Sequence, residues 1–428
     1  MFAGCLLVSA QFSQNPPQQQ GQTQIIPFPK VEQEELFQQA IEALEAKNTD
    51  AMVRLMDRAV ETVTVGFKDH THLNELDYAS RVARDFKTNH HEVLIDEGDM
   101  LGYLDDLVHH QDEPIADWVS VPLYFVSKLA KETGVTVVQV GEGSDEQFSG
   151  YDSYAAYMRL QRYFWEPYQA VTPRVLRQAL AATARALLPA GRRTDWAADI
   201  LTRAGRGQEL FWGGAHAFWN IHKDRLLRPG AFGGGDGWPD LDEAGFDTTG
   251  LDAADSGGVI EAFTKRLDEK SPGSDFLTRM AYSELKLRLP ELLLMRMDKI
   301  TMSTSVEGRV PFLDHDLVEF TMDIPQVWKV RNGVSKYLLK RALKDILPDD
   351  IIHRQKMGFG APMAEWLRGD FGKQAEDAVL GSPLMREGYF ERDYIAKRFQ
   401  EHRNGHSHHA LRLWVLFNLT AWYDHWIK

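Results

Sequence analysis

The sequence predicts an α/β fold in which a doubly wound, mostly parallel sheet is followed by a large helical C-terminal part. Three observations carry that expectation. Strand-like runs at Val63–Phe67, His90–Ile95 and Val135–Val140 alternate with stretches of helical period, the pattern of strands joined by helical crossovers. The third run is rich in valine, as in a strand covered on both faces, and it stops at Gly141-Glu142-Gly143-Ser144-Asp145-Glu146. After Tyr151 the pattern changes to longer helical stretches.

Bulk properties narrow the class. A chain of 428 residues is long enough for two or three domains or for one large α/β unit, and 43% hydrophobic with 26% charged residues is ordinary globular usage. A formal net charge of −14 argues against nucleic acid or an anionic membrane as a general partner, while leaving room for a local basic pocket. Cys5 is the single cysteine, which excludes an intrachain disulfide and a cysteine-rich zinc site and fits a cytoplasmic home. Phe2 to Ala10 is apolar and rich in small residues but lacks the positive flank of an export signal. No stretch approaches the roughly 18 apolar residues of a membrane-spanning helix.

Taken in order, residues 1–30 read as a disordered leader, because the Gln- and Pro-rich tract from Gln14 to Gln24 has too little apolar surface to fold alone. Residues 31–50 read as a helical segment, with Leu36, Phe37, Ala40, Ile41 and Leu44 at helical spacing. A second helix follows through Ala51, Leu55 and Val60. Glu75 to Phe86 places Leu76, Ala79, Val82, Ala83 and Phe86 on one face; Val121 to Ala130 forms the helix that leads into the valine strand. Beyond Tyr151 the spacing predicts helices over Val175–Ala190, Met363–Leu367 and Ala410–Trp426, and a glycine-rich excursion from Pro229 to Gly237. Arg192 and Arg193 read as a solvated helix face, and Phe211, Trp212, Phe218 and Trp219 as core.

The chemistry is concentrated at the end of the valine strand. Gly141 and Gly143 permit positive φ and a close backbone approach to a ligand, and Glu142, Asp145 and Glu146 crowd negative charge where a cation or an ammonium nucleophile would sit. The same residues also suit a strand ending in an acid-capped helix. Asp298, Lys299, Glu307, Arg309 and Asp314 are candidates for an internal ion-pair network, since charges inside an apolar frame need partners. Ser335 to Arg341 opens a basic helix whose lysines suit phosphate oxygens or a solvated face. His402, His406, His408 and His409 read as preceding the last helix rather than as metal ligands.

Several blocks, in sequence order, resemble the synthetase domain of the glutamine-dependent asparagine synthetases. They are Val65-Gly66-Phe67, His90-His91-Glu92, Asp112-Glu113-Pro114, Gly141 to Glu146, Met297-Asp298-Lys299, Glu307 to Asp314, Ser335-Lys336 and Lys356 to Pro362, and the likeness spans residues 51–428. The resemblance implies an ATP-pyrophosphatase (adenine nucleotide α-hydrolase-like) fold and an ATP- and Mg2+-dependent ligase that activates a carboxylate, aspartate in that family, as an acyl-adenylate for attack by ammonia. By position it implies Val65 against the adenosine, Val140 and Gly141 on the nucleotide through backbone groups, Glu142 orienting or deprotonating ammonia, Asp145 holding magnesium, and Lys336 stabilising departing pyrophosphate. It leaves room for a homodimer.

Three departures qualify that implication. The family usually has serine at Val140. Its Ser-Gly-Gly-x-Asp-Ser phosphate loop should precede Ala51, where this chain reads Glu45-Ala46-Lys47-Asn48-Thr49-Asp50, without a glycine to shape a nest of N–H groups. The glutaminase half is absent from this sequence, so Cys5 is assigned no catalytic role and ammonia is expected free or from a separate glutaminase. A catalytically silent relative, or an amide ligase with another acceptor whose difference lies between Gln169 and Asp275, are the rival readings.

Overall fold

The computed structural model describes residues 60–188, 191–214, 216–229, 245–246, 256–354 and 358–428, together with the backbone of 6–8. The expected helices over 31–59, the Glu45–Asp50 segment, most of the glycine-rich excursion and residues 355–357 lie outside the described residues, and Val60, expected in the second of those helices, is not helical.

The described chain is mainly helical around one five-stranded sheet. Strand β1 is Leu6–Val8. Strand β2, Glu61–Phe67, is buried from Thr62 onward; Thr62 is tolerable there because its Oγ1 shares hydrogen bonds of 2.9 Å with both Thr88 Oγ1 and His90 Nδ1, while Val63, Val65 and Phe67 supply apolar surface. Gly66 answers a packing demand, because a Cβ there would come 2.8 Å from Leu76 Cδ1 at the start of α1, Leu76–Asp85. Strand β3, Asn89–Ile95, runs parallel to β2 with Val65 opposite Val93. Helix α2, Glu97–Gln111, starts at a reciprocal capping box between Asp96 and Asp99, and Lys68 Nζ bridges both carboxylates at 2.8 and 2.9 Å. Helix α3, Ser120–Glu132, leads to β4, Val137–Gln139.

The helical part follows. Helix α4 is Ser144–Phe148, α5 Asp152–Leu160, α6 Arg174–Leu187 and α7 Arg192–Arg206. Helix α8, Phe276–Ser283, runs without a break through a wider π-type stretch, Glu284–Leu294, into α9, Met295–Ser303. Pro290 lies in the wide stretch; it has no N–H to donate, so a regular α-helical ladder cannot be completed there. Strand β5, Glu307–Arg309, pairs parallel to β4. Then come α10, His315–Met322, α11, Tyr337–Ala342, α12, Asp370–Gly381, α13, Arg392–Arg403, and α14, Ala410–Trp426. The main core joins both halves: Val63, Val65, Ile95, Val126 and Val138 pack in one cluster with Ile300, Phe371, Leu413 and Trp414.

The sheet departs from the expected parallel order at its centre. Its strand order is β3-β2-β1-β4-β5, and β1 is antiparallel to both β2 and β4. The two parallel pairs are as expected; the strand between them comes from residues 6–8, inside the stretch expected to be disordered. A hydrogen-bonding slot between two parallel pairs accepts an apolar segment in either direction, because the main-chain groups of β2 and β4 need partners whatever supplies them. Within 135–140 only Val137–Gln139 forms strand, while Val135 is buried and Val140 extends the ladder by one bond, its N–H donating to Arg309 O at 2.8 Å.

Candidate functional site

The turn after β4 is held in shape by space as much as by bonds. Gly143 has φ +90, and a Cβ on it would lie 2.3 Å from Leu313 Cδ2, so glycine is required twice over. Gln147, on α4, donates from Nε2 to Phe312 O and accepts from Thr321 Oγ1 at 2.8 Å, which clamps the turn to the Pro311–Leu313 segment and to α10. That clamp gives the Glu307 to Asp314 block a positioning role.

Glu142 stands on this turn beside Arg296, which α9 delivers from beyond the π-type stretch. Arg296 is 4% exposed, and its guanidinium reaches Glu142 Oε1 at 2.6 Å and Asp117 Oδ2 at 2.5 Å. Burial pushes the Glu142 carboxyl up from its ordinary range, the Arg296 charge pulls it back down, and the nearby acids Glu146, Asp117 and Asp145 add to the upward push. Such a carboxylate, oriented and partly neutralised, is suited to taking a proton from an ammonium group placed against it.

Lys336 comes from far along the chain to the other side of the same turn. It is buried, adopts φ +53, donates its backbone N–H to Phe148 O at 3.1 Å, and sets Nζ 2.9 Å from Asp145 Oδ1 and 3.0 Å from Ser144 Oγ. Gly150 makes room for the pair: a Cβ there would sit 1.9 Å from Asp145 Oδ1 and 2.1 Å from Lys336 Cε. The expected basic helix therefore begins later, at Tyr337, with Lys336 as a left-handed residue ahead of it rather than a side chain on its face.

A third polar group adjoins the turn. Tyr151 donates its hydroxyl to Glu146 Oε1 at 2.5 Å, and the Arg288 guanidinium lies over the Tyr151 ring, 4.8 Å from its centre. Arg288 also pairs with the fully buried Glu284 at 2.9 Å, and Glu284 accepts from Gly214 N. Burial raises the Glu284 carboxyl, with Arg288 opposing it.

Of the six residues assigned from sequence, Val140, Gly141, Glu142 and Asp145 share the turn, and Lys336 is bonded to it. Val65 stands on β2, which β1 separates from β4, and its side chain belongs to the main core. Sequence reasoning missed Arg296, Asp117, Tyr151, Glu284 and Arg288. Arg296 had a signal, a lone guanidinium inside the apolar run Leu292 to Met297; Asp117 had none, because only the fold brings α9 over its loop.

The proposed internal network of Asp298, Lys299, Glu307, Arg309 and Asp314 is corrected. Lys299 Nζ instead binds Gln111 O at 2.9 Å, Glu113 at 3.3 Å and Asp112; Arg309 pairs with Glu307 at 2.8 Å with both side chains more than half exposed; Asp314 caps α10 through Asp316 N and Leu317 N. Arg309 and Asp314 meet short-range partners because β5 is an edge strand and α10 begins at the surface, and Lys299 is drawn to the distant Asp112–Glu113 loop instead, so no buried frame joins these charges. The histidines before α14 have structural bonds, His402 Nε2 to Ala364 O at 3.0 Å and His409 Nε2 to Glu401 at 2.9 Å. Among the described residues no cluster of three or more His, Cys, Asp and Glu is placed to hold a metal ion by itself. Asp145 alone could serve magnesium only as one ligand among phosphate and water oxygens, which is how that ion is commonly held when it arrives with a nucleotide.

The fold and turn define an α/β chain with a glycine-and-acid site at the carboxyl end of a sheet strand, faced by a buried lysine. The asparagine synthase family model matches residues 41–424, and the chain belongs to the asparagine synthase family. It is 28% identical over 367 residues to asparagine synthetase [glutamine-hydrolyzing] 1 of Bacillus subtilis (strain 168), covering 86% of this chain and 52% of that protein. It is 30% identical over 367 residues to the putative asparagine synthetase [glutamine-hydrolyzing] of Mycobacterium tuberculosis (strain ATCC 25618 / H37Rv), covering 85% and 50%. Amidase chyE of Penicillium rubens is 25% identical over 335 residues, covering 77% and 47%. The chain thus spans about half the length of the curated relatives it matches. No described helix is long and apolar enough to cross a membrane.

Proposed function

We propose that this chain is an ATP-dependent amide-forming ligase that activates a carboxylate, aspartate in the first instance, as an acyl-adenylate and passes it to ammonia. The observation that carries the reading is the single turn that sets Glu142 against Arg296 and Asp145 against Lys336. A substrate carboxylate oxygen attacks the α-phosphorus of ATP and pyrophosphate leaves; ammonia then attacks the acyl carbon and AMP leaves. Lys336 supplies a preorganised cation for the phosphate charge, and Glu142 takes the proton from the nitrogen nucleophile. Magnesium would be held by Asp145 with phosphate oxygens and would neutralise charge there. In this reading Val65, Val140 and Gly141 border the nucleotide, the parallel strand pairs belong to a doubly wound sheet, the protein is cytoplasmic, a separate glutaminase or free ammonia supplies the nitrogen, and a homodimer is the assembly to look for.

One observation favours a second reading. Glu45-Ala46-Lys47-Asn48-Thr49-Asp50 falls within the family match yet has no glycine, which supports a silent relative that binds nucleotide or a partner without turnover. The likeness to the fungal amidase supports a third, an amide ligase with another acceptor. Pyrophosphate release from ATP, measured against a panel of carboxylates with ammonium, separates the three. Aspartate-dependent release, cut about a hundredfold or more in Lys336→Ala, is expected; nucleotide binding without release under any carboxylate would leave the silent reading standing.

A further inference from the structure

Helix α6 turns an apolar stripe away from the rest of the molecule. Leu176, Leu180 and Leu187 recur at the spacing of one helix face and are 51%, 43% and 77% exposed, with Thr183 between them. The opposite side is the anchored one: Ala181 is buried, and Gln178, Ala181 and Arg185 line a cleft against Thr202, Gly205 and Arg206 of α7. Val171, Val175 and Leu188 are also exposed and prolong the stripe at both ends.

The charge around this stripe is opposite to that of the whole chain. Residues 159–206 contain nine arginines and no lysine, against Glu166, Asp195 and Asp199, in a protein of net charge −14. Asp199 and Arg203 are buried against each other at 2.5 Å and cancel, Asp195 is buried against Arg225 at 3.1 Å, and Arg185 pairs with Asp224, so the outward charge comes from the exposed Arg159, Arg162, Arg174, Arg192, Arg193 and Arg206 against the exposed Glu166. Arg192 and Arg193 at the start of α7 are exposed.

Charge and shape together select the occupant. A two-fold pairing with a second copy would set the arginine-rich stretch against itself. A partner helix seats in a groove, whereas the stripe is a ridge and the groove of this helix pair lies on its other side. An anionic bilayer needs no matching groove: leucines enter the acyl boundary while guanidinium groups meet the headgroup phosphates. We propose that α6, with Arg192 and Arg193, is a peripheral docking surface for an anionic lipid membrane. The expectation of no membrane contact rested on net charge, which averages over this patch. The docked state is independent of the catalytic reading.

The test is flotation of the purified full-length protein with vesicles of phosphatidylglycerol and phosphatidylcholine, compared with phosphatidylcholine alone. Recovery with the anionic vesicles only, reversed by high salt, is expected. A Leu176→Glu, Leu180→Glu, Leu187→Glu variant should bind about tenfold more weakly or worse, with an unchanged circular dichroism spectrum because the three side chains face outward. Arg192→Glu with Arg193→Glu should weaken binding similarly, since each basic residue near such a surface counts for about tenfold or somewhat less, and this variant decides the matter if the leucine variant does not fold. Equal recovery on both vesicle types, no recovery, or binding untouched by the arginine variant overturns the proposal. So does an oligomer, seen by light scattering, that the leucine variant dissolves in the absence of any flotation, which would make the stripe a protein contact.

Discussion

Replacing Arg296 by methionine tests the core of the site most directly. The guanidinium is 4% exposed and bonded on one side to Asp117 and on the other to Glu142, so its loss leaves two carboxylates facing each other without a cation. Breaking a buried pair in this way costs about 3–5 kcal/mol; because Asp117 and Glu142 retain 16% and 24% side-chain exposure, water relieves part of it and the lower end, about 3 kcal/mol, is expected near neutral pH. The pH dependence has a definite sign. A carboxyl whose folded pKa lies above its unfolded value holds its proton more tightly when folded, so its contribution to stability is full at low pH and falls as pH rises through that window. Removing Arg296 removes the one downward pull on Glu142, which moves the upper edge of the window to higher pH. The cost of the substitution should therefore be smaller in mildly acidic than in neutral buffer. Urea denaturation of both proteins at several pH values measures this, and the acid limb of ammonium-dependent amide formation, the step assigned to Glu142, should shift upward in parallel. A methionine variant as stable as the parent at neutral pH, with an unmoved acid limb, would refute the account of Arg296 as the group that holds Glu142.

Other expectations follow from single contacts. Gly150→Ala places a methyl group where Asp145 Oδ1 and Lys336 Cε now sit, so it should depress turnover about as much as Lys336→Ala while costing about 1–3 kcal/mol in urea denaturation. Gly143→Ala meets both a positive φ and the Leu313 side chain, and should lower the denaturation midpoint with an unchanged urea m-value. His222, buried beside Asp195 and Arg412, has its pKa lowered to about 4, chiefly by burial. Its folded state prefers the neutral ring, so stability present above its unfolded pKa near 6.5 should be lost as pH falls toward about 4, and His222→Gln should flatten that part of the stability profile.

The strands and helices that were legible from sequence are those with strong local pattern. Val63 to Phe67 and His90 to Ile95 fall within observed strands because their β-branched residues suit a pleated, covered surface, and Ala410 to Trp426 is found as one helix with the expected ends. Gly143 of the 141–146 turn was also legible, since a backbone at φ +90 leaves a mark on residue type, whereas Gly141, read the same way, does not have a positive φ. Helix α1 was recovered to within a residue at either end, its apolar face turned inward.

What the sequence by itself determined, then, is the family and the residue types at the turn, through blocks that each need only their own neighbours to be read. Pairing was decided by the tertiary structure. Lys336 and Asp145, or Arg296 with both Asp117 and Glu142, are far apart in the chain, and nothing local distinguishes a charge that will be buried against a partner from one that will be solvated. Asp298, Glu307, Arg309 and Asp314 show the same uncertainty resolved the other way, each in an exposed or capping position. A charge acquires its meaning from the desolvation imposed on it and the partner placed within reach, and both are set only when α9 and the residues ahead of α11 fold over the end of β4.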